Sequence, residues 1–367
     1  MVSRLLVLLA ALHVSRAAAA CNNVSAVSVT LDTLFAEYAQ YMAPATPVVV
    51  RAALDVRHAS VDEGAAVVRL LADLRLSWLD PRLAWNETEL ECKSVLVPAE
   101  RLWRPDVELL NGAAGEGAAD GSVRARLTLD SQVLWIQRLN VAVPLAIDLT
   151  DWPSDRQSAV FTFGSREHTA EEIALGIDDF RYATVWESGT WMIESVVGEK
   201  AALGSKPVIS WNVVLRRRAA AHALASGAVL TAAALVLLTA VVLPPQQRHS
   251  LCACAAFTAA LWLTSALLRL PGSATCPRTL SCMAGVLGAA GACCAVAAML
   301  ARLARVQRPP PPQLRAMLSK APSWAVATSP QDSDSSSASW AAAAQLLDNV
   351  LRAALALTLL VLVCVAL

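Results

Sequence analysis

The chain carries no surplus of charge. Its 30 Lys and Arg balance 30 Asp and Glu, so the formal net charge is zero. Nucleic-acid binding draws on concentrated Lys and Arg, and this composition argues against it. Histidine is scarce: five residues, scattered without metal-ligand spacing. Neither G-x-S-x-G nor H-E-x-x-H occurs, and Gly115-x-Gly117 lacks the helix pattern that a phosphate cradle needs after it. The sequence therefore supports no enzyme, metal centre or cofactor. Charged residues make up only 16% of the 367, whereas 56% are hydrophobic and mean hydropathy is +0.49. Soluble globular chains rarely reach that balance, and long apolar stretches account for it.

Residues 1–20 read as a secretory signal. Arg4 sits in a short polar start, Leu5 to Leu12 form an apolar core, and Ala17 to Ala20 are the small residues of a cleavage site. That run is too short to cross a bilayer. Sequons at Asn23 (Asn23-Val24-Ser25) and Asn86 (Asn86-Glu87-Thr88) agree with a lumenal start. Of nine cysteines, only Cys21 and Cys92 precede the first long apolar span. An oxidising lumen lets them pair, and the closed loop would stabilise by about 4 kcal/mol in the chain-entropy model. The sequence leaves that pairing open. The other thiols lie in or beside apolar spans, where a small buried hydrophobe is the expected role.

Leu31, Leu34, Phe35, Tyr38 and Met42 share one helical face, which predicts an amphipathic helix ending before Pro44. The period then changes to two. Val50, Ala52, Leu54 and Val56 alternate with Arg51, Asp55 and Arg57. Leu70, Ala72, Leu74, Leu76 and Trp78 alternate with Arg69, Asp73, Arg75 and Ser77. Ala125 and Leu127 alternate with Arg124 and Arg126, and Ile209, Trp211, Val213 and Leu215 give a last run. Half-buried strands between Gly, Pro and Asp turns predict an antiparallel β-sandwich over 21–218, with a loop from Gly112 to Gly121. Four apolar spans follow, at 219–243, 249–270, 279–301 and 341–366, each long enough to cross a bilayer. Gly285, Gly288 and Gly291 give the third span small surfaces for close packing. The connection 302–339 is basic at its start and Ser-rich at its end, which places it in the cytosol as a disordered loop ahead of the fourth helix at 340–367. The expected fold is thus a multi-domain membrane protein. An N-terminal helix and an extracellular sandwich precede a four-helix transmembrane bundle whose first three helices span 219–301.

The order and local motifs resemble a subunit of the pentameric Cys-loop channels, and within them the nicotinic acetylcholine receptor family. Trp78 to Asn86 is similar to the family's W-x-D-x-x-L-x-W-N, Trp103 to Asn111 to W-x-P-D-x-x-L-x-N, and Trp152 to Gln157 to F-P-F-D-x-Q. Phe163-Gly164-Ser165 matches the F-G-S that follows, Leu215 to Arg218 resembles M-R-R-R, and Trp340 to Leu351 resembles the start of the fourth span. The resemblance implies a subunit of an extracellular ligand-gated cation channel in the plasma membrane, postsynaptic, with its N-terminus outside. It implies a hetero-pentamer with other nicotinic-type subunits, and acetylcholine or a related quaternary amine at a subunit interface. The alternative is a non-conducting accessory subunit or a receptor-like binding protein.

Departures from the family pattern narrow this. Leu145 and Ala159 stand where the signature disulfide has its cysteines. A quaternary ammonium is held by aromatic faces. The principal-face positions are Leu110, Arg166 and the stretch Glu199 to Lys206, none aromatic, which implies a non-α type. On the complementary face the resemblance leaves Trp78 as a ligand contact, with a core position in phase with Leu76 as the other reading. For coupling it points to Glu63, Asp155, Arg217 and Pro277. Along the second span the pore-facing positions are Gln247, Ser250, Cys254, Phe257, Leu261, Thr264 and Leu268, with Phe257 at the gate. Gln247 and Leu268 replace the acidic residues of two charge rings.

Overall fold

A computed structural model describes residues 24–85, 92–113, 117–178, 189–303 and 340–366, with short stretches between 305 and 316. The signal segment, Cys21, both sequon asparagines and most of 302–339 lie outside the described residues. The chain forms two compact units. One holds residues up to Ile147 together with Arg156–Arg218, and the other holds Asp148–Asp155 together with the chain from Ala219 onward.

The first unit opens with α1 (Val24–Ala36), followed by β1 (Val48–Asp62), β2 (Val67–Leu79), β3 (Ser94–Pro98), β4 (Val107–Leu109), β5 (Gly117–Gly121) and β6 (Arg124–Thr128). It continues with β7 (Gln132–Pro144), β8 (Arg156–Ser165), β9 (Ile173–Ile177), β10 (Trp191–Leu203) and β11 (Lys206–Arg217). Seven strands make one sheet in the order β3-β6-β7-β2-β1-β9, with β5 also on β7; four make the other, β10-β11-β8-β4. The alternating runs put one row of side chains on each sheet's inner face. Leu54, Leu70, Leu74 and Leu76 from one sheet and Phe161, Phe163 and Trp211 from the other are fully buried. Burying each such side chain contributes about 1.5–3 kcal/mol.

Three expectations change. The helix is shorter than its apolar face predicts, because the carbonyls of Ala39 and Met42 accept hydrogen bonds from Arg82 Nη1 (3.2 and 3.0 Å) instead of continuing a helix. Tyr38 turns inward: its hydroxyl donates to Asp80 Oδ2 (2.8 Å) and accepts from Trp103 N (3.0 Å). Burial first, with the Asp80 bond adding, pushes its phenol up to about 12, although the Trp103 bond works the other way. Next, the sandwich is not wholly antiparallel, since β9 pairs in parallel with β1 from Val48↔Ile173 to Ala52↔Ile177. Finally, Gly117–Gly121 is a strand on β7 rather than loop.

The second unit contains α2 (Ala220–Val242), α3 (Arg248–Leu267), α4 (Arg278–Leu303) and α5 (Trp340–Ala366), each with a stretch long and apolar enough to cross a membrane. Their shared core is built from small and medium side chains: Ala240 on α2, Cys252, Ala255 and Ala259 on α3, Met283, Val286 and Ala290 on α4, and Leu359 on α5. Small residues let helix backbones approach closely. Gly288 and Gly291 are not among them; both face open space, with no contact from another element among the described residues.

One polar knot sits inside this apolar unit. Arg248, 2% exposed, forks onto Asp348 of α5, with Nη1–Oδ1 at 2.6 Å and Nη2–Oδ2 at 2.8 Å. Its Nε donates to the Leu243 carbonyl at 2.7 Å, and Arg352 adds a second cation to Asp348 at 2.7 Å. The α2–α3 connection is thereby tied to α5 by charge-assisted bonds. Asp348→Ala leaves Arg248 buried and uncompensated, and should cost about 3–5 kcal/mol. Arg248→Met with Asp348→Leu should recover most of that loss in thermal unfolding of the purified protein, whereas equal losses in single and double variants would contradict it.

Candidate functional site

β1 and β2 form a hairpin closed at Asp62↔Val67, and Glu63 stands at its turn. The Asp62 carboxylate holds that turn, accepting from Ala65 N (3.0 Å) and Arg69 (3.2 Å), and these bonds, the Ala65 bond foremost, keep it below the usual carboxylate range. Arg217, at the end of β11, reaches across from the other sheet. Its Nη1 meets Glu63 Oε1 at 2.5 Å. Its guanidinium also lies over the Trp191 ring, 4.3 Å from the centroid. The Arg217 side chain is only 11% exposed, so the pair is screened less than a surface ion pair. Glu63 and Arg217 are thus brought together as expected, joining the two sheets where the chain leaves the sandwich.

A second cluster gathers around Asp106. Ser165 Oγ donates to Asp106 Oδ2 (2.7 Å), and His168 Nδ1 lies 2.8 Å from Oδ1. Burial would raise this carboxyl, but the bonds from Ser165, His168 and the Glu167 N–H outweigh it and hold it below its usual range. Asn111 ties β4 to β8 from both ends of its amide, donating to Val160 O (2.7 Å) and accepting from Thr162 N (3.0 Å). The positions that the resemblance assigns to the principal face carry charge. Arg166 is exposed and pairs with Glu108 at 3.1 Å, and the Lys206 ammonium donates to the Arg166 carbonyl. Leu110 is half-buried beside Gly164.

Trp78 lies elsewhere. It is 2% exposed and meets Trp103 edge-on at 5.9 Å. Asp80, fully buried, caps the one-turn helix Pro81–Leu83 and binds Arg82 through both oxygens, while Trp85 donates to Cys92 O at 3.2 Å. The whole W-L-D-P-R-L-A-W run is therefore a structural knot. Trp78 has no surface to present to a ligand, which corrects the complementary-face expectation. Cys92 is disulfide-bonded.

In the second unit, the segment Asp148–Asp155 contains a cis Trp152–Pro153 bond. It is stitched to Thr275 and to the first residues of α4. Thr275 Oγ1 donates to Asp148 Oδ1 (2.8 Å) and accepts from Leu149 N (2.9 Å); Arg278 N donates to Thr150 O (3.0 Å); Thr279 Oγ1 donates to Trp152 O (3.2 Å). Trp152 packs edge-on against Trp262 of α3 at 6.3 Å. Asp155 and Pro277, both buried, belong to this unit, whereas Glu63 and Arg217 belong to the sandwich. Leu145 and Ala159, where the family pattern has cysteines, are 7% and 3% exposed.

On α3, Ser250, Cys254, Phe257, Leu261 and Thr264 all lie on the side turned away from the unit's own core, and Gln247 and Leu268 at its ends are also exposed. Phe257 is 66% exposed. Leu268 lies one residue past the helix and still donates to Thr264 O at 3.2 Å.

The family model described as the neurotransmitter-gated ion-channel ligand binding domain matches residues 28–219. The chain belongs to that family. Neurotransmitter-gated relatives include the neuronal acetylcholine receptor subunit alpha-6 of Rattus norvegicus, 32% identical over 181 residues, 46% of this chain and 36% of the relative. The alpha-3 subunit of Homo sapiens is 28% identical over 227 residues, 58% and 44%, and alpha-4 of Gallus gallus is 29% identical over 204 residues, 51% and 32%. The chain therefore aligns with between about a third and under a half of the length of these relatives. They are receptor subunits rather than enzymes. The sequence pointed to Glu63 and Arg217, whose side chains meet, but not to Arg248, Asp348, Thr275 or Trp262. An Asp inside an apolar span was the available signal for the first two, since such a residue must find a partner.

A double-mutant cycle over Glu63→Gln and Arg217→Gln should give a coupling of about 1–3 kcal/mol in unfolding. A coupling near zero would reduce the pair to an ordinary surface contact.

Proposed function

We propose that the chain is a divergent non-α subunit of a pentameric ligand-gated channel. It assembles with other nicotinic-type subunits in the plasma membrane, at postsynaptic sites, with its N-terminus outside. The observation that carries this reading is a contrast within one molecule. The parts that would pass movement on are the Glu63–Arg217 pair beside Trp191 and the segment Asp148–Asp155, bonded to Thr275 two residues before Pro277. The parts that would hold a quaternary amine are replaced, with Leu110 and the cation Arg166 at aromatic positions. Acetylcholine or a related amine then sits at interfaces whose principal face comes from a partner subunit.

In such a pentamer α3 supplies a share of the pore wall, with Phe257 as an apolar constriction that gates by dewetting. Cation attraction needs acidic rings, and Gln247 and Leu268 add none, so the partners supply that charge. The same two residues favour a second reading, a non-conducting accessory subunit. Co-expression with an α-type subunit separates the two. Phe257→Ala should change single-channel conductance and pore-blocker sensitivity several-fold. Unchanged conductance and block, with the variant at the cell surface, would remove this chain from the pore wall and leave the accessory reading.

A further inference from the structure

Arg248, the first residue of α3, stands on the side of that helix turned into the unit's core. Steps of four, three and four residues lead from it to Cys252, Ala255 and Ala259, all buried. Ser250, Cys254, Phe257 and Leu261 run along the opposite, exposed side, and Gln247 before the helix is exposed as well. A cation at a helix end ordinarily reaches for water. Here water lies beside Gln247 and Ser250, yet the guanidinium points the other way and is 2% exposed.

A buried charge stays buried only where a partner outweighs its lost hydration. Asp348 of α5, 100 residues further on, is that partner, and the planar fork meets both of its carboxylate oxygens. The Leu243 carbonyl occupies Nε, so each guanidinium nitrogen has an acceptor. Among the described residues Arg248 pairs with no other carboxylate. Arg352 draws on the same Asp348 at 2.7 Å, and its own Nε is buried without a partner. Two cations therefore depend on one carboxylate, and for Arg248 the exposed end of α3 is the way to water.

We propose that Asp348 sets the charge of the pore's cytosolic mouth by holding the Arg248 cation out of the permeation path. The inference rests on the channel reading, in which α3 lines the pore and the α2–α3 connection lies at its cytosolic end. This chain then presents the neutral Gln247 and Ser250 to passing cations. Asp348 meets no ion; it is a positioning residue that acts through Arg248. Freed from the fork, the arginine turns to water and adds one positive charge per copy to the mouth, which repels cations entering from the cytosol.

Phenylglyoxal modifies arginines that reach water, and peptide mass mapping of the full-length protein in detergent locates the adducts. Arg248 should stay unmodified while the exposed Arg269 reacts, and Asp348→Asn should remove that protection, with circular dichroism checking the fold. In channels co-expressed with an α-type subunit, Asp348→Asn should lower outward single-channel cation current about two- to fivefold, the effect of one unit charge several ångströms away in water. The loss should shrink as cytosolic salt is raised, because a charge standing in water is screened and a packing defect is not. Arg248→Gln/Asp348→Asn has no cation to release and should conduct like wild type at every salt concentration. Modification of Arg248 in the wild type as fast as Arg269, protection that survives in Asp348→Asn, a current loss indifferent to salt, or an equal loss in the double variant would each overturn the proposal. Unchanged current in Asp348→Asn does so too: with Phe257→Ala altering conductance it removes this proposal alone, and with Phe257→Ala silent it removes the channel reading as well.

Discussion

The last strand of the sandwich ends in Arg217, two residues before the chain becomes helical and apolar, and what Arg217 touches fixes that exit. Its guanidinium is held from one side by Glu63, at the β1–β2 turn of the seven-stranded sheet, and rests on Trp191, its register partner in the four-stranded sheet. A single side chain therefore locks both sheets together at the point of departure. Since it is largely shielded from water, the interaction keeps its strength where a surface pair would be screened. Displacement of either sheet relative to the other must strain or break it.

The segment Asp148–Asp155 shows a different solution to a related need. The family pattern closes this stretch with a disulfide; here Leu145 and Ala159 take those places as buried apolar residues. Order within the segment comes instead from Thr275, Arg278 and Thr279, whose hydrogen bonds satisfy backbone groups at Leu149, Thr150 and Trp152. Each bond contributes about 0.5–1.5 kcal/mol net, so several of them offset a crosslink worth about 2–4 kcal/mol. Deeper in the helical unit, Arg248 and Asp348 serve as a fixed point between helices whose other contacts are small and apolar.

Much of this was legible in the sequence. Period-two alternation marked β1, β2, β6 and β11, and uninterrupted apolar length marked the four helices. Trp78 was legible too, since it falls in phase with Leu74 and Leu76; reading it as a ligand contact set its chemistry above its periodicity. What escaped were interactions across long sequence separations. Nothing near Tyr38 announces Asp80 or Arg82, and nothing near Thr275 announces Asp148. The early end of α1 follows from the same cause, because the carbonyls of Ala39 and Met42 just beyond it are claimed by a side chain some forty residues away. The parallel pairing of β9 rests on five residues, too few to declare a direction.

The central claim is that this chain is one wall of a mixed pentamer rather than a receptor by itself. Counting its copies by stepwise photobleaching of a fluorescent fusion, in single complexes co-purified with an α-type subunit from the cell surface, tests that claim directly. The account predicts fewer than five copies in complexes of five subunits. Complexes made of this chain alone, or a chain that reaches the surface as a monomer, would contradict it.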